Sequence, residues 1–159
     1  MSTMQKRRNN ADFSVVRMGK EHIAQVAELE KKYFTEPWSE NSLKLLVSDA
    51  GVAFVVLVAD TVVAYGGMMT VLDEGQIANI AVAEEYRRCG YGEEIVSALQ
   101  RFSIETGINL LSLEVRESNL AAIALYEKCG WKKCGMRKNF YRLPSESALV
   151  MTWTPSHSN

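Results

Sequence analysis

Two apolar, valine-containing runs, VAFVVLVA at 52–59 and VVAYGGMMT at 62–70, are separated only by Asp60 and Thr61, and a third, GQIANIAV at 75–82, follows the turn-like LDEG. Such spacing predicts a hairpin extended by another strand, although the first turn lacks the glycine that marks the most favourable two-residue loops. On the N-terminal side, DFSVVRM reads as a strand and GKEHIAQVAELEKKYF as an amphipathic helix, with Ile23, Val26, Leu29 and Phe34 near helical spacing. TEPWSENSLKLLVSDAG follows as a short helix, with Ser39 as its N-cap. On the C-terminal side come a helix ending near Gly107, a strand at INLLSLEVRE, a helix at SNLAAIALYEKCG with Ser118 or Asn119 as its cap, and two more strands. The order βαα-βββ-α-β-α-ββ is neither an alternating doubly wound fold nor all-β. It predicts an α/β protein of the α+β kind, a mixed sheet flanked by helices.

At 159 residues, 47% hydrophobic and 23% charged, the chain has the makings of one domain, expected over 11–155, with residues 1–10 as a disordered lead-in. A net charge of -1 gives no reason to expect direct contact with nucleic acid or an anionic membrane. The longest apolar run, 52–59, is far short of the roughly 20 residues that span a bilayer, and MSTMQKRRNNADF has no apolar stretch after its charges. Cys89, Cys129 and Cys134 are odd in number and form no C-x-x-C pair, so no disulfide framework and no metal site are expected. A cytoplasmic protein fits these features, working as a monomer or weak dimer.

Chemistry is suggested first by RRCGYG at 87–92. A dinucleotide fingerprint would need a third glycine where Ile95 stands, and the G-x-x-x-x-G-K-[ST] phosphate loop is absent. Two readings remain: a glycine-rich connection with no ligand, or a turn in which Gly90 and Gly92 let backbone amides gather around an anion at a helix start, with Arg87 and Arg88 beside it.

RRCGYG also matches the pattern [QR]-x-x-G-x-[GA], and one helix later comes LEVRESNLAAIALYEKCGW. In this combination the chain resembles the GNAT superfamily of N-acetyltransferases. With NIAV before the loop and EPWSE between the first helices, it is most similar to the bacterial ribosomal-protein-alanine branch. The resemblance runs from about residue 12 to 153 and implies a mixed sheet of six to seven strands with about four helices, the cofactor lying where two parallel strands splay apart. That cofactor is acetyl-CoA. The resemblance implies that Ile80, Ala81 and Val82 offer the edge that pairs with its pantetheine arm. The amides of Arg88, Cys89, Gly90, Tyr91, Gly92 and Glu93 would take its pyrophosphate, with Asn119 as a further contact. Glu93 and Glu94 depart from the basic or small residues common there; acids suit a first helical turn but give an anion nothing, so they are expected to point outward.

The same resemblance makes Glu114 in LEVR the proton acceptor and Tyr126 in ALYEKCG the donor to the departing sulfur. An α-amine (pKa about 7.7–8.0) loses its proton far more readily than a lysine (about 10.4), so a modest base suffices for an N-terminal acceptor. A backbone N–H on the splayed strand, that of Val82, would receive the carbonyl oxygen. Each side chain also has a plainer reading: Glu114 as an exposed partner of Arg116, Tyr126 as a packed aromatic, Asn119 as a helix cap. Cys89, beside two arginines, has the look of a nucleophile, but it occupies a variable position of the loop pattern. Met68 and Met69 are expected to pack, and Lys132, Lys133, Arg137 and Lys138 to form a solvated strand face.

The resembled branch implies that the acceptor groove is walled by Phe34, Pro37 and Trp38 on one side and the segment ending at Tyr141 on the other; Asp73 and Glu74 nearby read equally as an acidic rim to it or as solvated surface charge. The acceptor is then the N-terminal alanine of a small-subunit ribosomal protein. The alternatives are a protein-lysine or small-amine acetyltransferase of the same superfamily and a non-catalytic acyl-CoA sensor.

Overall fold

A computed structural model of the chain describes residues 12–155. The lead-in expected at residues 1–10 lies outside the described residues. Within them, β1 (Phe13–Arg17), β2 (Gly51–Val58), β3 (Thr61–Val71), β4 (Glu74–Val82), β5 (Leu110–Arg116), β6 (Lys132–Tyr141) and β7 (Glu146–Trp153) form one mixed sheet in the order β1-β2-β3-β4-β5-β7-β6. Only β4 and β5 run parallel; α3 (Tyr91–Thr106) supplies the crossover that a parallel connection requires. The other helices are α1 (Ile23–Tyr33), α2 (Glu40–Leu43) and α4 (Leu120–Lys128). Element order and fold class are those expected from the sequence.

The first hairpin turns at Ala59 and Asp60, both at positive φ (50° and 66°), one residue earlier than the apolar run suggests. Ala59 continues that run, so hydrophobicity alone misplaces the turn, and the flanking register from Gly51↔Met69 to Val58↔Thr61 sets it instead. The two helix caps settle as side-chain caps should. Ser39 Oγ accepts from the Ser42 amide (3.1 Å), and Asn119 Oδ1 accepts from the Ala122 amide (3.2 Å), which resolves the choice between Ser118 and Asn119.

Strand alternation divides the core. Leu111, Leu113 and Val115 of β5 are buried with Ile95 and Leu99 of α3, Tyr126 of α4, and Trp131. On the other face Tyr65, Ala53 and Ala81 pack under Val26 and Leu29 of α1 and Leu43 of α2. Met68 is fully buried, as expected, and Met69 packs against the second cluster.

What matters for function is where the sheet comes apart. β4 and β5 pair only from Glu74↔Leu110 to Gln76↔Ser112. Immediately beyond, Met68 pairs with Ile77 and Gly67 with Asn79, so Ala78 is the extra residue of a β-bulge. A bulge bends and overtwists its strand. Placed just past the last shared rung, it accounts for the divergence of Ile80–Val82 from β5.

Candidate active site

The divergence opens a cavity of about 580 Å³. Its walls are Ile80, Ala81 and Val82 from β4, the loop and helix start at Arg87, Arg88 and Gly90 to Glu93, and Asn119, Ala121, Ala122, Leu125 and Tyr126 at and within α4. All but one of the residues expected to hold the cofactor therefore line one space. The exception is Cys89, whose side chain is 2% exposed, within the core and away from that space. Only its backbone belongs to the loop, so the thiol has no access to a reacting group.

The two glycines of the loop do different work. Gly90 has φ +86°, a left-handed conformation that costs a residue with a Cβ about 1–2 kcal/mol. Gly92 is helical, and a Cβ there would come within 3.1 Å of Leu125 Cδ2, so its bareness lets α4 lie against the start of α3. The first bond of α3 runs from the Glu94 amide to the Gly90 carbonyl (3.1 Å), and the amides ahead of it belong to the turn that a helix directs outward at an anion. Glu93 is on this rim, with its carboxylate 2.9 Å from Lys128 Nζ. That pairing offsets the charge of the acid at the helix start. Arg87 turns inward, donating from Nε to the Val82 carbonyl (3.1 Å) and stacking on Tyr33 (4.6 Å). These features fit acetyl-CoA: a glycine-opened anion seat joined to an apolar trough along a strand edge.

Tyr126 reaches the cavity from α4, nearly buried, its ring 5.8 Å from that of Trp131. Burial, seconded by the charges of Tyr141 and Cys129, pushes its phenol well above the ordinary range, so the hydroxyl keeps its proton.

Glu114 does not line the cavity. It lies on the opposite face of β5 from Leu113 and Val115, behind the divergence, and is held there by a relay. Ser112 Oγ donates to Gln76 Oε1 (2.6 Å), and Gln76 Nε2 donates to Glu114 Oε1 (2.7 Å). The last rung of the β4–β5 ladder, Gln76↔Ser112, thus holds one oxygen of the carboxylate in place. The basic run on β6 is the exposed strand face expected from the sequence, and within it Arg137, still mostly exposed, brings Nε to 3.6 Å from Glu114 Oε2. Arg116 is not the partner of Glu114 either. It binds Glu146 (3.2 Å) and the Pro144 carbonyl (2.9 Å), and stacks on Tyr141 at 4.4 Å. Tyr141 belongs to the Glu114 cluster: its phenol is pushed up to about 12 by partial burial, then by the charge of Glu114. Glu146 accepts from the Ser118 amide (2.7 Å); hydrogen bonds from Ser118, then Arg116, hold its carboxyl below the usual range.

Of the other residues expected to wall the acceptor groove, Phe34 lines the cavity, whereas Pro37 is exposed and Trp38 half-buried outside it. Asp73 engages Asn109 through both backbone and side chain (2.7 and 3.0 Å), bracing the entry to β5. Sequence reading missed Gln76, Ser112, Arg137 and Tyr33. Ser112 and Glu114 share the polar side of an alternating strand, which was a usable signal. Gln76 and Arg137 are brought in by neighbouring strands and carried none. Among the described residues no group of three or more His, Cys, Asp or Glu is placed to hold a metal, and no helix is long and apolar enough to cross a membrane.

Residues 23–131 match the acetyltransferase (GNAT) family. The chain is 36% identical over 127 residues to a [ribosomal protein bS18]-alanine N-acetyltransferase of Haemophilus influenzae, covering 78% of this chain and 86% of that one. The crystal structure of the ribosomal-protein-S18-alanine N-acetyltransferase from Escherichia coli superposes with a TM-score of 0.85 at 29% identity, covering 93% of this chain and 97% of that one. Arabidopsis thaliana NAA60 in complex with acetyl-CoA shares the fold at a TM-score of 0.82 and 12% identity, over 90% and 98% of the two chains.

Proposed function

The chain belongs to the acetyltransferase (GNAT) family, and on that footing we propose that it carries acetyl from acetyl-CoA to the N-terminal alanine of a small-subunit ribosomal protein. The observation that carries this reading is the parting of β4 and β5 after Gln76↔Ser112. It leaves a cavity beside the diverging edge, lined from α3 and α4 and by Tyr33 and Phe34, for the cofactor, with the Glu114 cluster outside that cavity on the polar face of β5 for the acceptor.

Acetyl-CoA supplies the activated acyl group as a thioester. On the acceptor side Glu114, oriented by Gln76, takes the proton that the attacking α-amine releases, directly or through one water. An α-amine is easier to deprotonate than a lysine by about 3.5 kcal/mol, so a carboxylate is base enough. As the N–C bond forms and the C–S bond breaks, the Tyr126 hydroxyl donates to the sulfur. Burial keeps that proton on the hydroxyl until the sulfur takes it. The Val82 amide on the diverging edge receives the carbonyl oxygen. No covalent enzyme intermediate is needed.

The name borne by the relatives supports the acceptor, as does the match over most of both chains. The test is acetyl transfer to short peptides that differ only in their first residue, together with an α-blocked peptide carrying lysine, read by mass spectrometry. Acetylation of the alanine α-amine is expected. Modification of the blocked peptide alone would replace this reading with a lysine acetyltransferase, and cofactor binding without any transfer would replace it with a sensor.

A further inference from the structure

Glu30 is a carboxylate with no exposed surface and, among the described residues, no cation beside it. It follows Val26 and Ala27 at four and three residues on the buried face of α1. A carboxylate placed there to fill space would be a poor choice, because an apolar side chain of similar size packs without the cost of desolvating a charge. What it offers instead is two acceptor oxygens at fixed points, and every donor they meet is informative. Oε1 accepts from the Trp38 amide (2.8 Å) and from Asn79 Nδ2 (3.1 Å); Oε2 accepts from Asn79 Nδ2 (2.9 Å) and from the Tyr65 hydroxyl. Burial, and then the negative charge of Glu30, hold the Tyr65 phenol far above its ordinary range, so it stays a donor.

These donors come from the two halves of the site. Trp38 ends the loop from Phe34, whose side chain lines the cavity. Asn79 is the first paired residue after the Ala78 bulge on β4, directly before Ile80, where the strand turns away from β5. Tyr65 pairs with Ala81 on the same diverging segment. One side chain therefore ties the loop between α1 and α2 to the strand that carries the cofactor edge.

We propose that Glu30 is a positioning residue that locks the Phe34–Trp38 loop to the diverging end of β4 and so sets the acceptor wall in register with the acetyl group. The proposal rests on the acceptor reading of that loop given above. It makes loop order, rather than core packing, the purpose of the buried charge.

The experiment compares Glu30→Met with Glu30→Gln in the full chain. Methionine fills the space but accepts nothing; glutamine keeps one oxygen that can still take the Trp38 amide. Expected for Glu30→Met are hydrogen exchange at the Trp38 amide faster by about tenfold against unchanged β3 and β5 amides, and an acceptor-peptide KM raised about five- to tenfold with acetyl-CoA affinity within about twofold. Glu30→Gln is expected to fall between Glu30→Met and the wild type in both. Equal protection of Trp38 in all three proteins overturns the proposal, as does a loosened loop with unchanged acceptor KM, or a loss of protection shared by the whole core. Should Glu30→Met fail to fold, Glu30→Gln decides alone: wild-type exchange at Trp38 with wild-type KM overturns it. A wild type that acetylates no peptide refutes the acceptor reading instead, and the anchoring of the loop then stands or falls on the exchange data.

Discussion

Replacing Tyr126 with phenylalanine separates the catalytic reading of this residue from the packing one. The change deletes a single oxygen and leaves the ring, 5.8 Å from that of Trp131, where it is. No hydrogen bond to another described residue holds the hydroxyl, so its removal orphans no partner inside the protein. Stability should therefore stay within about 0.5 kcal/mol, or roughly 2 °C in Tm for a chain of this size. A hydrogen bond to a charged acceptor is worth about 1.5–3 kcal/mol. If the hydroxyl serves the departing sulfur, losing it lowers kcat by about 10- to 150-fold, with acetyl-CoA affinity little changed. The assay is release of free CoA thiol at saturating acetyl-CoA and peptide, alongside a thermal melt. A kcat within about threefold of wild type would refute the donor role, and so would a loss of rate that only tracks a loss of Tm. Because burial pushes this phenol well above 10, the variant should also keep the shape of the pH–rate profile up to about pH 10.

Glu114→Gln should cut kcat/KM for the peptide by about 10²–10⁴-fold while leaving acetyl-CoA binding, measured by calorimetry, intact; loss of both together would mean the residue is structural. Gly90→Ala imposes a Cβ at φ +86° and should cost about 1–2 kcal/mol in denaturant unfolding and weaken acetyl-CoA binding, whereas an unchanged midpoint would mean that the loop relaxes freely. Tyr65 and Tyr126 have folded pKa values raised above the unfolded value of about 10, so their contribution is complete below pH 10 and is lost as pH rises from there toward the folded values. Each should steepen alkaline destabilisation by about 1.4 kcal/mol per pH unit, and Tyr65→Phe should make the decline above pH 10 shallower in urea melts.

The element order was legible because each segment carries its own period. Leu111, Leu113 and Val115 alternate with Ser112, Glu114 and Arg116, and Ile95, Leu99 and Phe102 recur at helical spacing. Caps were legible for the same local reason: the oxygens of Ser39 and Asn119 satisfy amides only three residues away. The hairpin turn slipped by one residue because Ala59 looks like strand, and nothing nearby in the chain says otherwise. The RRCGYG loop announced a glycine-rich turn into a helix, but not that Gly90 answers a dihedral and Gly92 a neighbouring helix. That difference depends on where Leu125 lies.

The sequence by itself determined which residue types stand on which side of each strand and helix, and through its motifs the family to which the chain belongs. Tertiary structure alone decided the partners. Arg116 meets Glu146 across 30 residues, Gln76 meets Glu114 across 38, and Glu30 meets Asn79 across 49. Periodicity reports a side chain's face over a few residues of chain, whereas these hydrogen bonds depend on strand order, register and one bulge at Ala78, which exist only once the whole sheet has formed.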